Sequence, residues 1–413
     1  MHFFKYKNNH LYCDDVKVEE ISKNVSTPFY LYSSKTILHH YHSLDKAFKN
    51  IEHKICYSVK ANSNLAILKL LADQNAYFDI VSGGELYRLI KIKVPGKKIV
   101  FAGVGKTREE IELALKTNIL MFTVESIPEL ELIHSIAKSS GKCASIALRI
   151  NPDIEANTHH HITTGKKENK FGIDFDQAID LIKNINKYPY LKLIDIQSHI
   201  GTQITQVSPS IKAITKLINL IKSLKIKCEW LDIGGGFGII YNEETPPNAE
   251  IISKEIIPLF KNTGLKLMIE PGRFIVGNAG ILVTKILYLK KTPQKNFVIV
   301  DAAMTDLIRP SFYDAFHQII PVIKKNRKTF KADIVGPVCE SGDFFAKDRN
   351  ILEVKQEELL AIMSAGAYGF TMASNYNSRK KVAEVLTKDD KYYVIRKRET
   401  YKDLIKGENA IIL

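Results

Sequence analysis

The feature that most restricts what this chain can fold into is an alternation that starts near residue 54, in which short β-rich runs are mostly followed by segments of helical period. Eight runs qualify: 54–59, 78–82, 98–102, 119–124, 143–150, 191–199, 229–234 and 265–270. Strands that alternate with helices pair in parallel through crossover connections. Eight such units close most economically into a (β/α)8 TIM-like barrel, so the expected fold class is α/β with a barrel over 36–279. Helix starts are written in capping chemistry. Ser126-Ile127-Pro128-Glu129 carries a cap hydroxyl, a proline in the first turn and a glutamate three residues on, and Ser208-Pro209 reads the same way for a helix over 211–224.

Past residue 279 the rhythm changes. Runs at 281–289, 296–300, 332–335, 359–363 and 392–396 follow one another without long helices, which predicts a mainly β domain over 280–413. Residues 1–35 hold strand-like pieces at 16–21 and 28–32, too short to fold alone and expected to complete that second sheet. The one long irregular connection, 151–170, contains His159-His160-His161.

Composition then excludes whole classes. With 45% hydrophobic and 25% charged residues in 413, the chain is neither disordered nor low in complexity. Its net charge of +14 raises the question of nucleic acid, yet no basic stripe interleaved with aromatics is present, and the densest cluster, Lys324-Lys325-Asn326-Arg327-Lys328, reads as a solvated loop. The charge reads mainly as a solvated face, with attraction of small acidic ligands as the remainder, and the expected partner is a small-molecule substrate, with no nucleic acid and no membrane. No stretch approaches the ~20 apolar residues of a membrane span, and MHFFKYKNNH lacks a signal peptide's apolar run. Five widely spaced cysteines with no C-x-x-C pair suggest neither disulfides nor a zinc site and point to a cytoplasmic chain.

Barrel chemistry gathers where strands end. Lys60 ends the first run, His199 the sixth, Gly234-Gly235-Gly236-Phe237-Gly238 follows the seventh, and Glu270-Pro271-Gly272-Arg273 closes the eighth. Singly, each has an ordinary explanation: a solvated lysine, a structural histidine, a turn. On one rim together they supply an amine nucleophile, a nest of backbone amides for phosphate, a flat imidazole and a carboxylate. That set suits pyridoxal 5′-phosphate, with Glu270 keeping the pyridine nitrogen protonated so that the ring is a strong sink for a carbanion.

These residues also resemble those of the fold-type III PLP-dependent decarboxylases over nearly the whole chain. The matching pieces are Tyr57-Ser58-Val59-Lys60-Ala61-Asn62, Ser82-Gly83-Gly84-Glu85-Leu86, His199-Ile200-Gly201, the glycine run, Glu270-Pro271-Gly272-Arg273, Ile308-Arg309-Pro310, the stretch from Val335 through Cys339-Glu340 to Asp343, and Gly366-Ala367-Tyr368-Gly369. The resemblance implies that Lys60 bears the cofactor, His199 stacks on it, Gly235 and Gly236 line the phosphate nest, and Gly272, Arg273 and Tyr368 also contact it. It implies that Arg273, Arg309, Tyr313, Glu340 and Tyr368 line the substrate pocket. Cys339 would return a proton to Cα, reaching in from the second subunit of a homodimer with shared active sites. Ser58 and Thr202 depart from the family's usual alanine and serine.

For the substrate, a distal amino acid centre needs a cation for its carboxylate and an anion for its ammonium. Arg309 and Arg273 supply the first and Glu340 the second. An ornithine- or lysine-type relative resembles Cys-Asp where this chain has Cys339-Glu340. The expected reaction is therefore decarboxylation of meso-2,6-diaminopimelate to L-lysine. Two other readings stay open: a racemase, which would be expected to place arginine against the ring nitrogen where Glu270 stands, and a non-catalytic relative, which should have lost Lys60, His199 or Cys339. Gly103-Val104-Gly105-Lys106-Thr107 ends like a P-loop but has Val100 where the first glycine belongs. The three histidines at 159–161 lack chelating geometry, so no metal is expected.

Overall fold

The computed structural model describes residues 2–154 and 170–410. They form two compact units, one of His40–Ile239 and Glu244–Phe274, the other of Met1–His39, Ile240–Glu243 and Ile275–Leu413. Residues 240–243, placed by the sequence reading in the barrel, thus group with the second unit.

The first unit is a closed barrel of eight parallel strands: His53–Ser58, Tyr77–Ile80, Ile99–Phe101, Met121–Val124, Ala144–Arg149, Leu191–Gln197, Trp230–Asp232 and Lys266–Ile269. Closure sets Ile269 opposite Ile55 and Met268 opposite Lys54. Ile99–Phe101 and Met121–Val124 are buried throughout, because such strands face side chains inside the barrel and helices outside it. Most strands stop a little short of their sequence-predicted ends. His199 lies two residues past Gln197 and Glu270 one past Ile269, where the chain turns out of the ladder onto the rim.

Of the two capping motifs, one forms as expected. The Ser126 hydroxyl accepts from Glu129 N at 3.3 Å and opens Ile127–Ser139. The other does not: the helix runs Ser208–Ser223, the cap position belongs to Val207, and no side chain caps it. Ser208 is already inside the first turn beside Pro209, where its hydroxyl is past the cap position.

The second unit holds a nine-stranded mixed sheet whose main path runs Phe344–Leu352, Thr329–Val335, Asn296–Val300, Gly280–Lys291, Phe29–Ser33, Ala383–Lys388, Lys391–Arg396, and a separate three-stranded sheet of Phe4–Lys7, His10–Cys13 and Val16–Lys17. The N-terminal strand Phe29–Ser33 is central and wholly buried, antiparallel to Gly280–Lys291 and parallel to Ala383–Lys388. The N-terminal segment therefore completes the sheet. The expected strand at 16–21 is instead two strand residues, Val16–Lys17, followed by the helix Val18–Val25. Val18, Ile21 and Val25 fall at helical spacing and reach one core, with Glu19 and Glu20 favourably placed in the first turn.

Candidate active site

Because every barrel strand points the same way, the residues after each one share a rim. Lys60 sits in a short turn, Val59–Ala61, directly after the first strand, and its Nζ lies 2.7 Å from Asp79 Oδ2 on the second. Asp79 is fully buried. The Ser58 hydroxyl lies 2.9 Å from that same oxygen and 3.0 Å from the Glu270 carbonyl, so the family departure at 58 gains two polar partners at this point.

Glu270 is tied to the seventh strand's exit by its amide, which donates to Gly234 O at 2.9 Å. Gln197 Nε2 donates to Oε2 at 3.2 Å, and the buried Glu270 carboxyl also pairs by a side-chain hydrogen bond with the buried Asp232 carboxyl. Burial first, then the neighbouring acids Asp232 and Asp79, push its carboxyl well above the usual range, against the pull of Lys60 and Arg149. Behind it stand two more buried acids. Asp232 N donates to Asp195 Oδ1 at 3.0 Å and Gly234 N to Asp232 Oδ1 at 2.7 Å, and desolvation raises both carboxyls.

His199 Nδ1 accepts from Gly235 N at 3.2 Å, which leaves the proton of a neutral ring on Nε2. Desolvation, then the charges of Arg149 and Lys60, hold that imidazole well below its ordinary pKa, so it is flat and uncharged. Gly235's amide is thus engaged with the histidine. Its missing side chain matters more, since a Cβ there would stand 2.1 Å from Glu270 O. Gly236 has φ +86°, and a Cβ would meet Gly201 O at 2.2 Å. The glycines let three rim segments touch, with the Gly234, Gly235 and Gly238 amides already given to Asp232, His199 and Ile204 O. Gly272 packs against Ala61 and Ser58 so closely that a Cβ would lie 2.9 Å from the Ala61 methyl. Arg273 is buried, with Nη2 3.4 Å from Thr202 Oγ1, so the hydroxyl retained at 202 has an observed partner.

These residues fit pyridoxal 5′-phosphate by their chemistry. An amine and a desolvated carboxyl stand at the same end of the barrel, a neutral flat ring lies nearby, and the glycine turns keep side chains off the rim beside them. The residues the sequence reading overlooked are Asp79, Gln197 and Arg149, whose Nη1 lies 3.0 Å from buried Glu125. Asp79 had a visible signal, a lone acid in a strand otherwise apolar, since a charge in a doubly covered strand calls for a partner.

The second unit carries the remaining candidates. Arg309 opens the short helix Arg309–Tyr313 and is buried, its Nη1 2.9 Å from His317 Nε2 and its guanidinium 4.5 Å from the Tyr241 ring. Tyr313 is half-buried, edge-on to Phe312 at 4.7 Å. Cys339 and Glu340 are exposed on a turn built around Asp343, which accepts from Val338 N at 2.7 Å and Met304 N at 2.6 Å. Asn377 Oδ1 steadies Cys339 N at 2.8 Å. Tyr368 is half-buried at φ +55°, a left-handed backbone that a bulky residue adopts only under constraint.

The lysine of the P-loop look-alike is buried, donating to Gly103 O at 2.8 Å and Thr123 O at 2.7 Å and paired with Glu129, while Thr107 caps the next helix. In the basic cluster, Lys325 and Arg327 both bind Glu358. Residues 159–161 lie outside the described residues. Among those described, no group of three His, Cys, Asp or Glu could hold a metal ion, and no helix is long and apolar enough to cross a membrane.

Comparison with known proteins gives consistent results. A family model described as pyridoxal-dependent decarboxylase, pyridoxal binding domain, matches residues 34–277. The chain is 46% identical over 407 residues to diaminopimelate decarboxylase of Aquifex aeolicus, covering 98% of this chain and 96% of that protein. It is 44% identical to the Haemophilus influenzae enzyme of the same name over the full length of both. A solved diaminopimelate decarboxylase from Helicobacter pylori, complexed with L-lysine, superposes with TM-score 0.91 at 43% identity, covering 94% of this chain and 98% of that one.

Proposed function

The chain belongs to the pyridoxal-dependent decarboxylases, and from its full-length likeness to the diaminopimelate decarboxylases among them we propose how its own residues carry the reaction. The reaction is decarboxylation of meso-2,6-diaminopimelate to L-lysine and CO2, with pyridoxal 5′-phosphate as cofactor. The observation that supports the assignment of roles is that Lys60 and the desolvated Glu270 carboxyl follow neighbouring barrel strands onto one rim.

When bound, the cofactor supplies a protonated aromatic ring that takes up the electron pair left at Cα as CO2 departs. Lys60 holds it through the ε-amine, with Asp79 as the counter-ion that keeps that amine in place. Glu270 would face the ring nitrogen, and a positive charge there would reverse the preference for a neutral carboxyl that burial imposes. The neutral His199 ring offers a flat face to stack on. The glycine run, Gly272 at the next turn and the Arg273 charge would take the phosphate, and Tyr368 would make a further contact.

Arg309 and Arg273 take the distal carboxylate, Glu340 the distal ammonium, and Tyr313 and Tyr368 complete the substrate's surroundings. Cys339 Sγ delivers a proton to Cα after CO2 leaves. We assign these roles within a homodimer in which Cys339 and Glu340 of one copy serve the other, a reading supported by the exposure of both side chains in the single chain. Five free cysteines support a reducing, cytoplasmic setting.

The test is incubation of protein and pyridoxal 5′-phosphate separately with meso-diaminopimelate, ornithine and lysine. Lysine formed from the first alone is expected. Putrescine or cadaverine would overturn the substrate assignment.

A further inference from the structure

We infer that His317 is a positioning residue that aims the guanidinium of Arg309 at the substrate's distal carboxylate, an inference that rests on the decarboxylase reading above. His317 was not singled out in the sequence, and its side chain is completely buried. Both ring nitrogens are engaged. Nδ1 lies 2.8 Å from the Met363 carbonyl, which can only accept, so Nδ1 carries the proton. Nε2 therefore presents its lone pair, and it accepts from Arg309 Nη1 at 2.9 Å. One backbone carbonyl thereby sets the tautomer that binds the arginine.

A third group completes the clamp. Tyr241 packs edge-on to the imidazole, with ring centroids 5.5 Å apart, and lies 4.5 Å from the guanidinium carbon. Arg349 Nη1 donates to the His317 carbonyl at 3.0 Å, fixing the backbone from which the imidazole projects. The guanidinium is thus held by a hydrogen bond to His317 and by the Tyr241 ring beside it. Two-point binding of a carboxylate depends on the angle at which the planar fork is offered. Unlike a carboxylate, the imidazole orients the arginine without itself cancelling its charge.

Two substitutions separate the two ends of the imidazole. His317→Gln places an acceptor near the position of Nε2, toward Arg309, whereas His317→Asn keeps a donor near that of Nδ1, toward Met363. The holoenzyme is assayed for kcat and KM with meso-diaminopimelate, for inhibition by the product L-lysine, which keeps the same carboxylate, and for cofactor absorbance. The Asn form is expected to raise KM and the lysine inhibition constant together by about tenfold, the loss of one hydrogen bond to a charged group. Its absorbance stays unchanged, and the Gln form stays near wild type in both constants. Should the Asn form fail to fold, Tyr241→Leu, which removes the plane beside the guanidinium, must raise the same two constants. Equal constants in all forms, or a Gln form as weak as the Asn form, would overturn the inference while leaving the decarboxylase reading intact. Wild-type protein that formed no lysine would overturn both.

Discussion

Lys60 Nζ and Asp79 Oδ2 stand 2.7 Å apart at the ends of adjacent barrel strands, the amine partly open to solvent and the acid fully buried. A buried carboxylate keeps its charge only with a partner, so the pair holds the amine over the barrel mouth before anything binds to it. Replacing Asp79 by Asn preserves shape and removes that charge. We expect kcat/KM for meso-diaminopimelate to fall by about tenfold to a hundredfold, the range for a charge-assisted hydrogen bond. A value within twofold of wild type would show that the pair does not serve the reaction.

Asp195 offers a test of the acids behind Glu270. Burial raises its carboxyl well above the usual range, and Oδ2 has no hydrogen-bond partner among the described residues. Between the unfolded value of about 4 and the raised folded value, the native protein holds a proton that the unfolded chain has released. The wild type therefore loses stability as pH rises through that window. Asp195→Asn cannot titrate, so its thermal midpoint relative to wild type should be higher at pH 8 than at pH 5. A difference that is the same at both pH values would refute the account.

Cys339→Ala removes the proposed proton donor without touching the barrel rim. Turnover should fall by about a hundredfold to ten-thousandfold, the usual worth of a positioned acid, while the absorbance of the bound cofactor is unchanged. An unaltered kcat would remove the thiol from the mechanism.

Shared sites predict complementation. Lys60→Ala and Cys339→Ala homodimers should each be nearly inactive. Subunits mixed under exchanging conditions should regain about a quarter of wild-type activity, because half the dimers are mixed and each of those carries one intact site. No recovery despite demonstrated exchange would place both residues' work within one subunit.

The barrel was legible because its signal is repeated and local. Each run from 54–59 to 265–270 overlaps one observed strand. Capping was legible at Ser126 and misleading at Ser208, where a serine-proline pair occurs inside the first turn. Segment 16–21 was misread because β-branched residues suggested a strand, while Val18, Ile21 and Val25 keep a helical period that decides the outcome once they meet a core. Phe344–Leu352 was missed for the opposite reason: charges at Lys347, Asp348 and Arg349 mask a strand whose one face is solvated at the sheet's edge.

By itself, then, the order of residues determined a parallel barrel and hence that Lys60, His199, the glycine run and Glu270 leave their strands at the same end, since chain direction in a βα repeat admits no other result. Only tertiary structure decided their partners and protonation: that Asp79 faces Lys60, that Gly235 orients His199, that Glu270 is desolvated among acids, and that a carbonyl at Met363 sets which nitrogen of His317 meets Arg309. Those facts depend on distance and dielectric between residues far apart in the chain, and no local pattern encodes either.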